Sequence, residues 1–455
     1  MKTFKLNFLF VVITLVGCSA PTRTPYYMPT VPLPDAFENV ATEAGATHLD
    51  TWWRMFDEPG LNAWVDLALA RNTDLAAAAI RVKRATFEAR LAGNALLPVF
   101  NGGISTGVSR PLSDDAGRIS KASSGALGVT WEVDLFDRLG AQRDAAGFEA
   151  LASTEDRNAV ALSLIGTTVK LYWQLAFANE RIALAKLSFA NAIRTQNLVA
   201  KQYSAGAVSG LARHEAKQTF AEQEVVLSQL IQVKAELQQA LMVLFDGVAP
   251  PYPEPERLSA LQLPSVQVGL PAELLRRRPD LQAAELRLRS VLASSDGAQA
   301  RYYPAFSLTG NLGTSSTALL NILANPVATL GAGMTLPFLN VHEMHTNTAI
   351  ANTRYEEAIV MFRKSLYSAL GEVEKALSMR SQLVLQEAAQ LRIRNEAVEI
   401  ERIYEARYRA GQVSLRTLLD AQERRRLAEV AFTTTHLSQL QNHVTLIQAL
   451  GGGME

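Results

Sequence analysis

The chain has 455 residues, with 44 Lys plus Arg against 44 Asp plus Glu, so no net charge draws it to nucleic acid or to an anionic lipid surface. Hydrophobic residues make up 48% and aromatics only 7%, an Ala-rich balance that suits packed helices better than one large globular core. A single Cys excludes disulfides, and it excludes thiol chemistry anywhere else in the chain.

At the start, Lys2 and Lys5 precede an apolar run from Phe8 to Val16, long enough for a signal-peptide core and too short to cross a bilayer as a helix. Leu15-Val16-Gly17-Cys18 then resembles a bacterial lipoprotein box, which implies a signal peptide over 1–17 and lipidation of Cys18. The alternative is an ordinary secretory signal with an incidental Cys. Ser19, rather than Asp, follows, as in lipoproteins sent on to the outer membrane. Residues 18–50 carry several Pro and little periodicity and are expected to form an extended, lipidated tether. Beyond Cys18 no run of 18 apolar residues occurs, which excludes a helical membrane span.

From residue 51 the parts follow in order. A helix is expected from about residue 60 to 96, with Leu61, Trp64, Val65 and Ala68 on one face and Pro98 as its stop. The period then changes to two. Phe100, Gly102, Ile104, Thr106 and Val108 alternate with Asn101, Gly103, Ser105, Gly107 and Ser109; Leu127, Val129, Trp131 and Val133 alternate with Gly128, Thr130, Glu132 and Asp134. These are two strands, with residues 110–124 as the loop between them. No Pro interrupts 112–249, so a long helix over about 139–203 and a returning one over about 210–246 are expected. Two short helices stacked end to end, 60–96 and 210–246, would match the one long leg.

A Pro-rich linker, Val248 to Pro255 within residues 248–270, separates this unit (51–247) from a second (271–455) with the same parts. Helices are expected over about 280–302, 341–408 and 415–450. One strand sets Phe306, Leu308 and Leu312 against Ser307, Thr309 and Asn311. The other sets Ala328, Leu330, Ala332, Met334 and Leu336 against Thr329, Gly331, Gly333 and Thr335, across a loop at 315–326. The two units align as a tandem duplication: Asp74-Leu75-Ala76-Ala77-Ala78 matches Asp280-Leu281-Gln282-Ala283-Ala284, and Glu215-Ala216 matches Asp420-Ala421. Tyr-x-Ala-Gly-x-Val-Ser occurs at Tyr203 and again at Tyr408, each time as a helix stop in which Gly takes the left-handed conformation and Ser caps the next helix. An offset near 205 residues marks two copies of a large unit rather than a solenoid.

The long helices repeat every seven residues. Leu370, Leu377, Val384, Leu391 and Val398 run beside Ala369, Ala376, Leu383, Ala397 and Tyr404; Leu162, Val169, Ala176, Ala183 and Ala190 run beside Leu175, Ile182 and Phe189. Strict sevens indicate a left-handed coiled coil. The strands, apolar on one face and small or polar on the other, fit a transmembrane β-barrel and equally a half-buried soluble sheet; the lipoprotein box favours the barrel. Four strands cannot close, since a barrel needs about eight and lipid tolerates no open edge, so two, three or more chains must share the wall.

Several segments are similar to signatures of the TolC-like outer-membrane factor family, lipidated NodT/OprM branch: Trp131-Glu132-Val133-Asp134-Leu135-Phe136, Leu274 to Glu285, Ala300 to Gly310, and Leu418-Leu419-Asp420-Ala421-Gln422. The likeness covers about residues 50 to 453. It implies a mainly α chain with a small β part, in which a homotrimer closes a 12-stranded β-barrel from four transmembrane strands per chain, and long coiled-coil hairpins form an α-barrel reaching into the periplasm. It also implies a passive outer-membrane exit duct of a tripartite efflux pump, joined through a periplasmic adaptor to an inner-membrane RND-type transporter.

The resemblance places a periplasmic aperture at Leu415 to Arg424, with Asp420 matching the family's constricting acid. Arg416 stands where relatives have an apolar residue and Glu423 where they have a basic one, so an Arg416 to Asp420 pair, four apart on a helix, is one expectation for the lock of the gate; the alternative is that all three are a solvated helix face. The hairpin tips Ala205-Gly206-Ala207 and Ala410-Gly411-Gln412 match adaptor-docking positions, although any tight turn also needs small residues. Asn340 to His345 departs from the usual Gly and basic residues after the last strand. His342 with His345, and His436 with His443, lack the partners of a zinc site. No phosphate loop, Gly-x-Ser-x-Gly or Ser-His-Asp arrangement occurs. Neither enzyme activity, cofactor, metal nor nucleic acid is expected; outer-membrane lipid is. Two other readings are the outer-membrane duct of a type I protein-secretion system and a structural periplasmic coiled-coil lipoprotein.

Overall fold

The computed structural model describes residues 23–37, 51–110, 119–250, 252–258, 263–264, 266, 268–317 and 326–452. Cys18 and the signal-peptide and lipidation readings lie outside these residues. The elements run α1 (Pro59–Arg71), α2 (Thr73–Asn94), β1 (Val99–Ser109), β2 (Ser120–Val133), α3 (Arg138–Ser204), α4 (Gly210–Leu244), a short α5 (Leu274–Arg277), α6 (Pro279–Ala300), β3 (Ala305–Ser316), β4 (Pro326–Thr335), α7 (Val341–Arg409) and α8 (Leu415–Ala449). At 1.5 Å per residue α3 and α7 are each about 100 Å long.

The chain forms two compact units. One draws on residues 1–31, 80–154 and 283–364 and holds the sheet. Its four strands pair antiparallel in the order β1-β2-β3-β4, leaving one edge of β1 and one of β4 open. The register sets Phe100 opposite Val129, Leu127 opposite Leu312, Trp131 opposite Leu308 and Phe306 opposite Met334. Residues directly opposite share a face, so the apolar residues of all four strands lie together. Among the described residues nothing covers them: Phe100 is 80% exposed, Ile104 81% and Leu330 91%. The other face carries Asn101, Ser105, Thr130, Ser307, Thr309, Asn311 and Thr329 among glycines and alanines.

The second unit draws on residues 32–79, 155–282 and 365–455. Its core is aromatic: Trp52, Phe56, Trp64, Trp173 and Phe245 are at most 2% exposed. They meet edge to face, Phe56 with Trp173 at 4.8 Å and Trp64 with Phe245 at 5.9 Å, the arrangement that ring quadrupoles favour. Ile182 and Ala185 of α3 pack on Leu230 of α4.

Three sequence expectations need correction. The helix expected over 60–96 is two helices: Asn72 is extended (φ −60°, ψ 128°), and its Oδ1 accepts the backbone N–H of Asp74 (3.0 Å) and Leu75 (3.1 Å), capping α2. Its Nδ2 donates to the Leu244 carbonyl at the end of α4 (3.1 Å), so α4 and α2 adjoin end to end through one side chain. The expected loops are shorter than 110–124 and 315–326, because Ser120 to Ser124, Ser315, Ser316 and Pro326 belong to strands; apart from Lys121 and Pro326 their side chains are Ser and Ala, too small and too alike to show an alternation. The tether is irregular but, over residues 23–26, fastened. Arg23 pairs with Asp137 and Asp144, and Thr24 donates its N–H and its hydroxyl to the buried Asp296 carboxylate (3.0 and 2.7 Å). Separately, α3 contains a window whose mean hydropathy would suit a membrane span, but 61% of it is buried, as in a packed core helix, so the expectation of no helical span stands.

The heptads also divide. Ala369, Ala376, Leu383 and Ala397 are buried, as are Leu175 and Ile182, while Val384, Leu391 and Val398 are 54%, 39% and 42% exposed. An ideal helix drifts about 20° per heptad, so the outer stripe turns away from its partner within one chain.

Candidate functional site

Both hairpin tips have the same construction. Gly206 (φ 72°) and Gly411 (φ 71°) take the left-handed conformation, where a Cβ would be strained. The Ala207 N–H then reaches the Gln202 carbonyl (2.8 Å) and the Gln412 N–H the Arg407 carbonyl (2.9 Å), closing the last turns of α3 and α7. Ser209 and Ser414 cap α4 and α8 by accepting the N–H groups of Ala212 and Thr417, each at 3.3 Å. Ala205, Gly206, Ala207, Ala410, Gly411 and Gln412 are all exposed. Just behind them Val199, Ala216 and Leu415 form a small core with Val208, Tyr408 and Leu419, so the two tips stand side by side.

Arg416 occupies the second position of α8. Its Nε lies 3.9 Å from Asp420 Oδ2, one turn on, and its Nη1 donates to Glu215 Oε1 of α4 at 3.4 Å. The expected Arg416 to Asp420 contact is therefore present, but the nearer carboxylate comes from the other hairpin. Glu215 is the repeat counterpart of Asp420, so one guanidinium sits between two duplicate carboxylates. The duplication aligned the pair in sequence; nothing local announced that they meet. Glu423 does not join them: it takes Arg426, one turn on, at 2.9 and 2.5 Å.

Asp420 and Glu423 line one cavity of about 190 Å³ with Glu222, Gln223, Glu401 and Arg425. Burial pushes the Glu401 carboxyl up from its ordinary value; Arg425 opposes this, and Glu405 and Glu429 add to it. The tip region thus concentrates carboxylates and guanidinium groups that can hold or repel one another.

The sheet is the other functional surface. An exposed apolar face backed by a polar one, over strands of 10 to 14 residues, can cross a bilayer with its polar face toward water. Trp131, on the apolar face, donates its indole N–H to the Leu96 carbonyl (3.0 Å) at one end of the sheet.

Comparison with known proteins agrees with this geometry. The family model described as "Outer membrane efflux protein" matches residues 64–246 and 270–452, one span in each repeat. The chain is 31% identical to the pyoverdine export outer membrane protein OpmQ of Pseudomonas putida over 97% of this chain and 96% of that protein. It is 30% identical to outer membrane protein OprJ of Pseudomonas aeruginosa over 99% and 96%. Among solved structures, the open state of the Neisseria gonorrhoeae MtrE outer membrane channel superposes with a TM-score of 0.84 at 27% identity, over 95% of this chain and 98% of that one. The chain belongs to the outer membrane efflux protein family and is an outer-membrane efflux channel.

Proposed function

We propose that three copies close one 12-stranded barrel, β1 of each chain meeting β4 of the next, with the polar face inward, and that this trimer is a passive exit duct for small molecules. The observation that carries the reading is the sheet: its apolar face is exposed and both of its edges are open. Lipid satisfies the first and only neighbouring strands satisfy the second. The family resemblance supplies the number three. The outward heptad stripe of Val384, Leu391 and Val398 is an apolar surface for neighbouring helices of the α-barrel.

In this reading acylated Cys18 anchors the mature chain in the outer membrane, and the helices extend into the periplasm. Arg416, Asp420 and Glu423 border the periplasmic aperture, with Glu215 as the second partner of Arg416. The tips at Ala205 to Ala207 and Ala410 to Gln412 dock a periplasmic adaptor, which joins the duct to an RND-type transporter in the inner membrane. The transporter supplies the energy and chooses the cargo.

Cysteine crosslinking tests the assembly. Ala205→Cys and Gln412→Cys are expected to capture a periplasmic adaptor of an efflux transporter in cells. Capture of a protein-secretion adaptor instead would assign the same duct to export of polypeptides.

A further inference from the structure

The polar face of the sheet is almost free of charge. Among the described strand residues on that face, which run through Asn101, Ser105, Ser124, Thr130, Ser307, Thr309, Asn311 and Thr329, Glu132 alone is ionisable. Its carboxylate does not stand free. Arg138, the first residue of α3, places Nη2 2.8 Å from both Glu132 oxygens and Nε 3.2 Å from one of them, a forked contact that fixes the guanidinium against the carboxylate. Neighbouring carboxylates are occupied elsewhere: Asp134 accepts the Gly140 N–H (2.7 Å), and Asp137 and Asp144 take Arg23.

We infer that Arg138 sets the charge preference of the barrel: by cancelling Glu132 it leaves a wall of hydroxyl, amide and glycine that passes anionic, cationic and zwitterionic solutes alike. The inference rests on the three-chain barrel with its polar face inward, in which loss of the guanidinium from all three chains would expose a ring of three carboxylates. Fixed rings of one sign select ions of the other. No thioether, thiol or imidazole lies on that face among the described strand residues, since Met334 faces the opposite way, so the wall offers soft metal ions no ligands.

The test is reversal potential across planar bilayers under a KCl gradient, in a parent carrying Glu215→Ala, Arg416→Ala and Asp420→Ala, so that the Arg416 cluster adds no charged ring of its own. Arg138→Gln is expected to raise the preference for potassium over chloride about threefold or more. Glu132→Gln should shift it toward chloride, the double variant should return to the parent value, and Arg138→Lys should stay there. A merely structural role for the pair would lower heat stability without giving shifts of opposite sign. Conducting channels with one reversal potential across all four variants would overturn the inference. A parent that does not conduct would contradict the shared barrel itself, and the inference with it.

Discussion

Asn72 and Arg278 stand at equivalent places in the two repeats, and each donates to a carbonyl in the last turn of its own returning helix. Asn72 reaches Leu244 and Arg278 reaches Ala449, both at 3.1 Å. Each also serves the helix that follows: Asn72 caps α2 directly, and Arg278 forks onto Asp280, whose carboxylate accepts the Leu281 N–H of α6. One side chain thus splices the end of one helix to the start of the next, by a neutral amide in the first repeat and a cation in the second.

Removing the splices should destabilise the second unit unequally. Asn72→Ala loses a cap and a hydrogen bond, about 1–2 kcal/mol. Arg278→Met leaves Asp280 and Glu372 without their partner; because both carboxylates are about half exposed, the cost is discounted to about 1–3 kcal/mol. Burial works against the Asp280 carboxylate, but the hydrogen bond and charge of Arg278 more than offset it and hold it below the ordinary carboxylate range. This contribution is complete above the unfolded value and is lost as pH falls through the folded one, so the difference between wild type and Arg278→Met should shrink below about pH 4. Denaturant titration of the detergent-extracted protein at pH 7 and pH 3 measures it.

His443 should make the fold acid-sensitive in a higher window. The ring is 1% exposed, packs edge-on against Phe56 at 5.8 Å, and is pushed down to about 4 by burial, with the charge of Arg380 adding to the effect. A lowered pKa means that the unfolded chain takes up the proton first. Stability is therefore complete above about pH 6.5 and falls, by up to about 3 kcal/mol, as pH drops toward 4. His443→Phe, if it folds, should flatten that slope; an unchanged slope would remove His443 as its cause.

The two faces of the sheet should tolerate charge differently. Leu330→Arg puts a cation on the exposed apolar face and is expected to cost about 2–4 kcal/mol if it lies near the bilayer midplane. Thr309→Arg, on the polar face, should still insert. Heat-modifiable mobility of outer-membrane fractions reports insertion, and equal behaviour of the two variants would contradict the assignment of faces.

Arg416 should restrain the aperture. Arg416→Ala frees Glu215 and Asp420 to repel, and single-channel conductance is expected to rise severalfold. Because the Arg416 side chain is 70% exposed, salt should loosen the contact too: at about 1 M the screening length is only about 3 Å. Wild-type conductance should therefore climb more steeply with salt than that of Arg416→Ala.

Much of this architecture is legible in the residues themselves. The strands show because a half-apolar sheet needs strict alternation, as from Leu127 to Val133, and the tips show because Gly206 and Gly411 meet a backbone demand that few other residues can. What stays hidden depends on distant partners or on side chains too small to carry a pattern. Ser120 to Gly125 pair as strand without alternating. Asn72 looks like one more helical position until its contact with Leu244 is seen. Arg23 and Thr24 are silent in a Pro-rich segment because their partners lie more than 100 residues away. Glu215 was visible as the duplicate of Asp420, but only packing of the hairpin tips brings it to Arg416.

The most direct measurement is the mass of the mature protein extracted in mild detergent, by native mass spectrometry. A sheet whose open edges are closed by sister subunits predicts one species of three chains that resists dissociation until heated. A protein that is monomeric in detergent, or that remains in aqueous solution as single chains, would contradict the shared wall.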